Sequence, residues 1–488
     1  MKRSCDHKQS LVIAGVARGD ITPQIGIYHR MWGAATHDVS TGVHRPLTAT
    51  VLTLAPRDTE DSQDVKIAIA VDHCLLWTTE MQALLRRVSE TAGVDAQSLE
   101  VLFSHTHGAG LMGLERQALP GGEMIAPYLE HLANVIAELI RDALAAAQPA
   151  SITYGTGRCS LATNRDYWDS ELQKYVCGYN PDGTVDDSVI VGRVTNSEGQ
   201  TMATIVNYAC HPTTLAWDNT LISPDYVGAM REVIEQATAA PCLFIQGASG
   251  DVGPREGFVG DVAVADRNGR QLGHAVLSAI LALPAPGTWF VYSGPVVSGA
   301  TIGTWRSVPV SDGHSSAAAI WRATECNIEL PLRSDLPRRD DLLAEQAHWQ
   351  AEQDAATAAG DDHRAREARA MGERATRRLT RVGHLPTSGR FPYRVKLWRT
   401  GDAIWIPLNG EHYNVLQTEL RKRFPELVLV IGTLANGSDV WYLPDTESYG
   451  KGLYQEEASI LARGSLEMLM DALEHSIREL KQPSMAGS

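Results

Sequence analysis

Two histidines one residue apart, His105 and His107, follow an apolar run in Ser104-His105-Thr106-His107-Gly108-Ala109-Gly110. Residues two apart in an extended segment point to one side, so the pair can address one site, where the glycines leave room for a metal or a substrate. His211, in Asn207-Tyr208-Ala209-Cys210-His211-Pro212-Thr213, stands just beyond a second apolar run, with Pro212 fixing the local turn. Glu411, in Pro407-Leu408-Asn409-Gly410-Glu411-His412, stands beyond a third, where a carboxylate also suits the N-terminal end of a helix. A fourth stretch opens with Asn436-Gly437-Ser438-Asp439 and carries Tyr442, Tyr449 and Tyr454. Each piece alone has an ordinary structural reading: a surface pair, a packed histidine, a helix charge, interface aromatics. Together, two histidines, a carboxylate and an oxygen donor make a nitrogen and oxygen set suited to a zinc ion with an open position.

The elements that must position these groups are short β-branched runs alternating with longer helical patterns. Residues 65–71, 99–103, 202–208, 242–246, 403–407 and 427–431 read as strands, and 79–91 and 128–144 as helices. The alternation predicts an α/β fold, in which ligands sit outside the carboxyl ends of strands, and the candidates fall at such ends. Between 335 and 379 the composition shifts to Ala, Arg, Glu, Gln and Asp, which predicts an inserted helical hairpin turning at Gly360. Its apolar stripe of Leu342, Leu343, Ala347, Ala351 and Ala355 is too thin to hold a core alone. The hairpin therefore reads as a solvated excursion or as a surface for a second copy of the chain, giving a homo-oligomer. The expected organisation is one catalytic domain over 1–481 and a disordered tail at 482–488.

The 488 residues carry 43 basic and 58 acidic side chains, a net charge of −15 that repels phosphate backbones and anionic lipid. Nucleic-acid binding and stable membrane association are thereby poor readings, leaving a small-molecule substrate as the expected partner. No run approaches the ~20 apolar residues of a membrane span, and the first residues, Met1-Lys2-Arg3-Ser4-Cys5-Asp6, form no apolar signal core. The expected compartment is cytoplasmic. The 7 cysteines are scattered with no Cys-x-x-Cys pair, which fits reduced thiols rather than a disulfide framework or a zinc ribbon.

In order along the chain stand Gly15-Val16-Ala17-Arg18-Gly19-Asp20-Ile21-Thr22-Pro23, Gly42-Val43-His44-Arg45-Pro46-Leu47, Ser104-His105-Thr106-His107 and Asn164-Arg165. They are followed by His211-Pro212-Thr213, Ser223-Pro224-Asp225-Tyr226-Val227-Gly228, Gly250-Asp251-Val252-Gly253-Pro254, Gly410-Glu411, and Tyr442 spaced from Tyr449 and Tyr454. This series resembles the N-terminal catalytic domain of the neutral ceramidase family. The resemblance implies a zinc ion held by His105, His211, Glu411 and Tyr442, with His107, Arg165 and Tyr454 facing the scissile group. The family's reaction is hydrolysis of the amide of an N-acyl sphingoid base.

Three departures turn the expected substrate away from membrane ceramide. Where the family places a candidate serine nucleophile, the loop Gln246-Gly247-Ala248-Ser249-Gly250-Asp251 has Gly247, with Ser249 displaced by two residues. The signal sequence and C-terminal immunoglobulin-like domain of secreted members are not expected here. Finally, 11 Trp outnumber 6 Phe, and Trp168, Trp217 and Trp441 fall near Arg165, His211 and Tyr442, where indole faces suit a sugar or aromatic ring. The expected activity is hydrolysis of a small soluble amide, with zinc lowering the pKa of a bound water toward ~7 and His107 handling the proton. The alternatives are a zinc-dependent glycosidase or esterase on a polar substrate, and a protein that binds without turnover.

Overall fold

The computed structural model describes residues 4–5, 7–57, 64–310 and 312–482. The expected tail lies, from 483 onward, outside the described residues. An eight-stranded sheet runs in the order 242–246, 201–208, 188–196, 148–158, 9–20, 48–55, 66–71, 99–103. Its inner neighbours are antiparallel, but each edge is a parallel pair, 66–71 with 99–103 and 201–208 with 242–246. A parallel pair needs a crossover, supplied by the helices Thr78–Ala92 and Tyr226–Thr238. A four-stranded sheet, in the order 321–331, 390–400, 403–407, 428–432, ends in a third such pair, 403–407 with 428–432, joined through the helix Val415–Arg423.

Strand periodicity explains how the two sheets stack. In Lys66–Val71, Ile67, Ile69 and Val71 pack with the helices Thr78–Ala92 and Ile125–Ala145, whereas Ala68 and Ala70 turn to the opposite face. These alanines share a core with Trp398 and Trp405 of the second sheet, whose stacked rings lie 5.6 Å apart. Small residues on one sheet leave the volume that the two indoles fill. The second sheet's outer face is covered by Val415–Arg423 and Ser465–Lys481, so the layers run helix, sheet, sheet, helix.

The expected α/β class holds, and the strands 99–103, 242–246 and 403–407 have the expected bounds. The antiparallel interior was not anticipated; it arises where long strands return through tight turns, as between Ser188–Asn196 and Thr201–Tyr208. The helical hairpin consists of Arg339–Ala358 and Asp362–Val382, with Gly360 at φ 70° in the turn. Its second helix runs three residues beyond the expected limit. One face is docked on the body: Ala356, Ala368 and Ala375 are buried, Arg369 pairs with Asp38, Arg374 with Glu457, and Arg377 donates to the Met31 carbonyl. Among the described residues, no helix is long and apolar enough to cross a membrane.

Candidate metal centre

The three parallel pairs bring their carboxyl ends to one place. His105 follows the strand 99–103, His211 follows 201–208 and Glu411 follows 403–407. Tyr442 enters by backbone pairing, since Glu411–His412 and Tyr442–Leu443 form a short parallel ladder with Glu411 opposite Tyr442.

The donor atoms converge. His105 Nε2 and His211 Nε2 lie 3.0 Å apart, and Glu411 Oε2 stands 3.3 Å from the first and 3.0 Å from the second. All three residues are buried. The second ring nitrogen of each histidine is already committed, His105 Nδ1 donating to the Cys74 carbonyl at 2.8 Å and His211 Nδ1 to the Ser249 carbonyl at 2.7 Å. With Nδ1 carrying the hydrogen, the neutral form of each imidazole aims a bare Nε2 lone pair at the other and at a carboxylate. Three converging lone pairs repel unless a cation lies among them, and such carbonyl partners are the usual supports of metal-binding histidines. The separations also fit, because a tetrahedron with ~2.05 Å bonds has edges of about 3.3 Å.

Electrostatics agree with a positive charge at this point. Burial, then Arg165 and His105, push the His211 imidazole down to about 3, which keeps it neutral. Burial opposes charge on Glu411, yet His105 and His211 hold its carboxyl well below the usual range. Burial likewise opposes charge on His105, but the Cys74 thiol and Glu411 overcome it and raise the imidazole. A second set of Cys74, His105 and His107 overlaps the first, but the His105 nitrogen nearest the Cys74 sulfur, at 3.5 Å, is the one bonded to the Cys74 carbonyl.

Two further groups stand at the edge of the three-atom set. Tyr442 Oη is 3.4 Å from His211 Nε2, and His107 Nε2 is 3.4 Å from His105 Nε2. Both fit as a fourth corner or as a neighbour of the bound substrate. The route by which His107 gets there differs from expectation. His105 has a left-handed φ of 67° and His107 opens a 3-10 turn, so the two are not alternate residues of an extended strand. Gly108 is not open space for a ligand either: a Cβ there would meet the Ser223 carbonyl oxygen at 2.7 Å.

Arg165 is almost fully buried, and its Nη2 donates to the Gly250 carbonyl at 2.7 Å and to Tyr442 Oη at 3.0 Å. It therefore reaches the site through Tyr442. Tyr454 lies beside Tyr442, ring centroids 5.7 Å apart, and is 46% exposed at the mouth.

The loop expected to contact substrate meets the site residues His211 and Arg165 only through its backbone carbonyls. A Cβ at Gly247 would lie 2.7 Å from Gln417 Oε1 and 3.0 Å from the Ala209 Cβ, so this position is closed by packing. Ser249 is buried and its Oγ accepts from Gln246 Nε2 at 2.6 Å, a side-chain partner where the loop backbone was expected.

Of the three tryptophans, Trp441 is a correction. It is buried, its ring stacks on Trp77 at 5.1 Å, and the Arg381 guanidinium lies 4.1 Å from its centroid, leaving no free face for substrate. Trp168 is exposed on the ribbon 166–177, with its ring against Tyr175 rather than a site residue. Trp217 packs edge-on with Trp32, whose ring lies 5.1 Å from His107, and stacks with Phe258. Sequence reasoning missed Trp32, Arg381 and the carbonyls of Cys74 and Ser249. Only Cys74, just past the strand 66–71, carried a signal in its strand-end position.

Residues 12–259, just over half of the 488, match the family model described as neutral/alkaline non-lysosomal ceramidase, N-terminal. No curated protein matches the chain. Among solved structures, the neutral ceramidase from Pseudomonas aeruginosa is similar with a TM-score of 0.62 at 15% identity, covering 99% of this chain and 77% of that one. A structure described as ceramidase complexed with C2 gives 0.63 at 14% identity, covering 99% and 78%. At such identities these structures speak for the shared fold, while the family model reads the sequence itself. On that match the chain belongs to the neutral/alkaline non-lysosomal ceramidase family and is a hydrolase resembling neutral ceramidase.

Proposed function

We propose that the protein is a zinc-dependent hydrolase that cleaves the amide bond of a small N-acyl compound. The observation that carries the metal is the meeting of two Nε2 lone pairs and a carboxylate oxygen within 3.0–3.3 Å. His105, His211 and Glu411, with Tyr442 as the further candidate donor, would hold a zinc ion, which would supply Lewis acidity toward the substrate oxygen and acidify a water.

The chain's own groups do the rest. Burial, then His105 and His211, hold the His107 imidazole well below its usual pKa, so it is a neutral base at physiological pH. His107 Nε2 takes the proton of the attacking water and returns it to the amide nitrogen as the carbon–nitrogen bond breaks. Arg165 fixes the Tyr442 hydroxyl by its 3.0 Å hydrogen bond and adds a buried positive charge behind it. Tyr454 offers its hydroxyl to the oxygen on which charge develops.

A second reading, a glycoside or ester substrate, draws on the aromatic group of Trp32, Trp217 and Phe258 beside His107. A panel of soluble amides, esters and glycosides separates the two. For the metal, the purified protein should hold about one zinc per chain, and folded His105→Ala and His211→Ala proteins should lose it. Full zinc content in both variants would overturn the assignment.

A further inference from the structure

Beside Tyr454 lies a cavity of about 240 Å³, walled by Gly33, Ala370, Glu373, Arg374, Arg377, Arg381 and Glu457. Two of its residues adjoin the neighbours of the centre. Tyr454 packs on Tyr442, and Gly33 follows Trp32, whose ring lies against His107. One face of the helix 362–382 thus forms a wall of this cavity, carrying arginines at spacings of three and four residues.

The charges on that wall do not balance. Arg374 is matched by Glu457, and Arg377 Nε donates to Glu373 at 2.9 Å. Glu373 is shared, because Arg116 also donates to it at 2.7 Å. Arg381 is nine-tenths buried, its Nε has no hydrogen-bond partner, and among the described residues no carboxylate pairs with it. The guanidinium lies over the Trp441 indole, a contact that offsets only part of the cost of burying an unpaired cation. Asp439, the acid near its other side, is bonded to Thr78 and Asn409.

A guanidinium held over an indole and lining a cavity, with no carboxylate paired to it, is a receptor for a carboxylate, sulfonate or phosphate group. We infer that Arg381, backed by Arg377, binds an anionic group of the substrate, so that the enzyme acts on small N-acyl compounds bearing a negative charge. This rests on the amide-hydrolase reading for the reaction, but the anion subsite itself does not.

The test therefore has a binding arm and a turnover arm, both on the zinc-loaded full chain. Sulfate titrated by calorimetry should bind the wild type, and Arg381→Gln should weaken it by about tenfold or more, the loss expected for a charge-assisted pair. Arg366→Gln, on an exposed face of the same helix, should leave it unchanged. Should Arg381→Gln fail to fold, protection of Arg381 from phenylglyoxal by sulfate in the wild type takes its place. Equal affinity in wild type and Arg381→Gln, or labelling indifferent to sulfate, overturns the inference.

In the turnover arm, glutaryl- and pentanoyl-p-nitroanilide place a charged and a neutral group on the acyl side. N-acetyl-p-aminobenzoate and its carboxamide do so on the amine side. The charged member of at least one pair should have the higher kcat/KM, with the preference lost in Arg381→Gln. Neutral members cleaved equally well or better would overturn the inference. Arg381-dependent sulfate binding without cleavage of any amide would instead leave the subsite standing and remove the amide reading.

Discussion

His107 and Ser249 are the two side chains whose substitution separates a general-base mechanism from a covalent one. His107 has its Nε2 3.4 Å from His105 Nε2 at the edge of the metal set and a buried Nδ1 without a partner, so its ring is available for proton exchange. Ser249 has its hydroxyl bonded to Gln246 and contributes its carbonyl to His211, an atom that alanine keeps. His107→Ala should therefore cost about 10²-fold or more in kcat with zinc retained, and Ser249→Ala less than about tenfold. Steady-state kinetics with metal analysis of each variant decides it. Loss of turnover in Ser249→Ala with fold and zinc intact, and a covalent adduct on Ser249, would require a serine nucleophile. The ligand candidates His105, His211 and Glu411 were legible because few side chains can perform such chemistry and each sits in a short ordered motif. The Cys74 and Ser249 carbonyls were not, because every residue has a carbonyl and only the fold decides which one faces a histidine.

Elements hold these side chains by packing that carries its own pH signature. Glu100, in the strand that leads to His105, is buried, accepts from Asn436 Nδ2 at 2.8 Å and lies 3.5 Å from Lys396 Nζ. It links the edge of the large sheet to the segment before Tyr442. Burial pushes its carboxyl up to about 7, against the opposing pull of Lys396. The unfolded chain releases that proton near pH 4.5, so the native state binds more protons between about 4.5 and 7. Glu100 thus favours the fold below its unfolded pKa, and that contribution is lost as pH rises through about 7, by up to about 1.4 kcal/mol per pH unit. Glu100→Gln should be about as stable as the wild type at pH 4 and more stable than it at pH 8, with chemical-denaturation midpoints at both pH values as the measurement. An identical difference at both would remove Glu100 as the source. Strand bounds such as 99–103 and 242–246 were readable from uninterrupted apolar runs. The docking of the hairpin was not, because its inner face is alanine and arginine, residue types that a sequence shows equally on solvated helices.

At the scale of the whole molecule, substrate size is set by what surrounds the centre. The cavity beside Tyr454 has about 240 Å³, below the usual ~300–1,000 Å³ of sites that enclose drug-sized ligands. Its walls include three arginines and two glutamates, so an alkyl chain laid along them would strip charged groups of water without matching them. Large exposed apolar side chains gather on two ribbons, Phe290, Val296, Val297, Ile302 and Trp305 on 288–309 and Tyr167, Trp168 and Leu172 on 166–177. The net charge of −15 further opposes approach to an anionic bilayer. Long-chain ceramide in mixed anionic vesicles should accordingly be cleaved at least about tenfold less efficiently than a short-chain amide with the same scissile bond. That factor needs only ~1.4 kcal/mol of lost chain burial, less than two methylenes supply. Parallel assays of a two-carbon and a sixteen-carbon N-acyl series, with the product amine quantified, would measure it. A rate that rises steadily with acyl length would mean that an apolar channel opens beyond the arginine wall, and the small-substrate reading would fall.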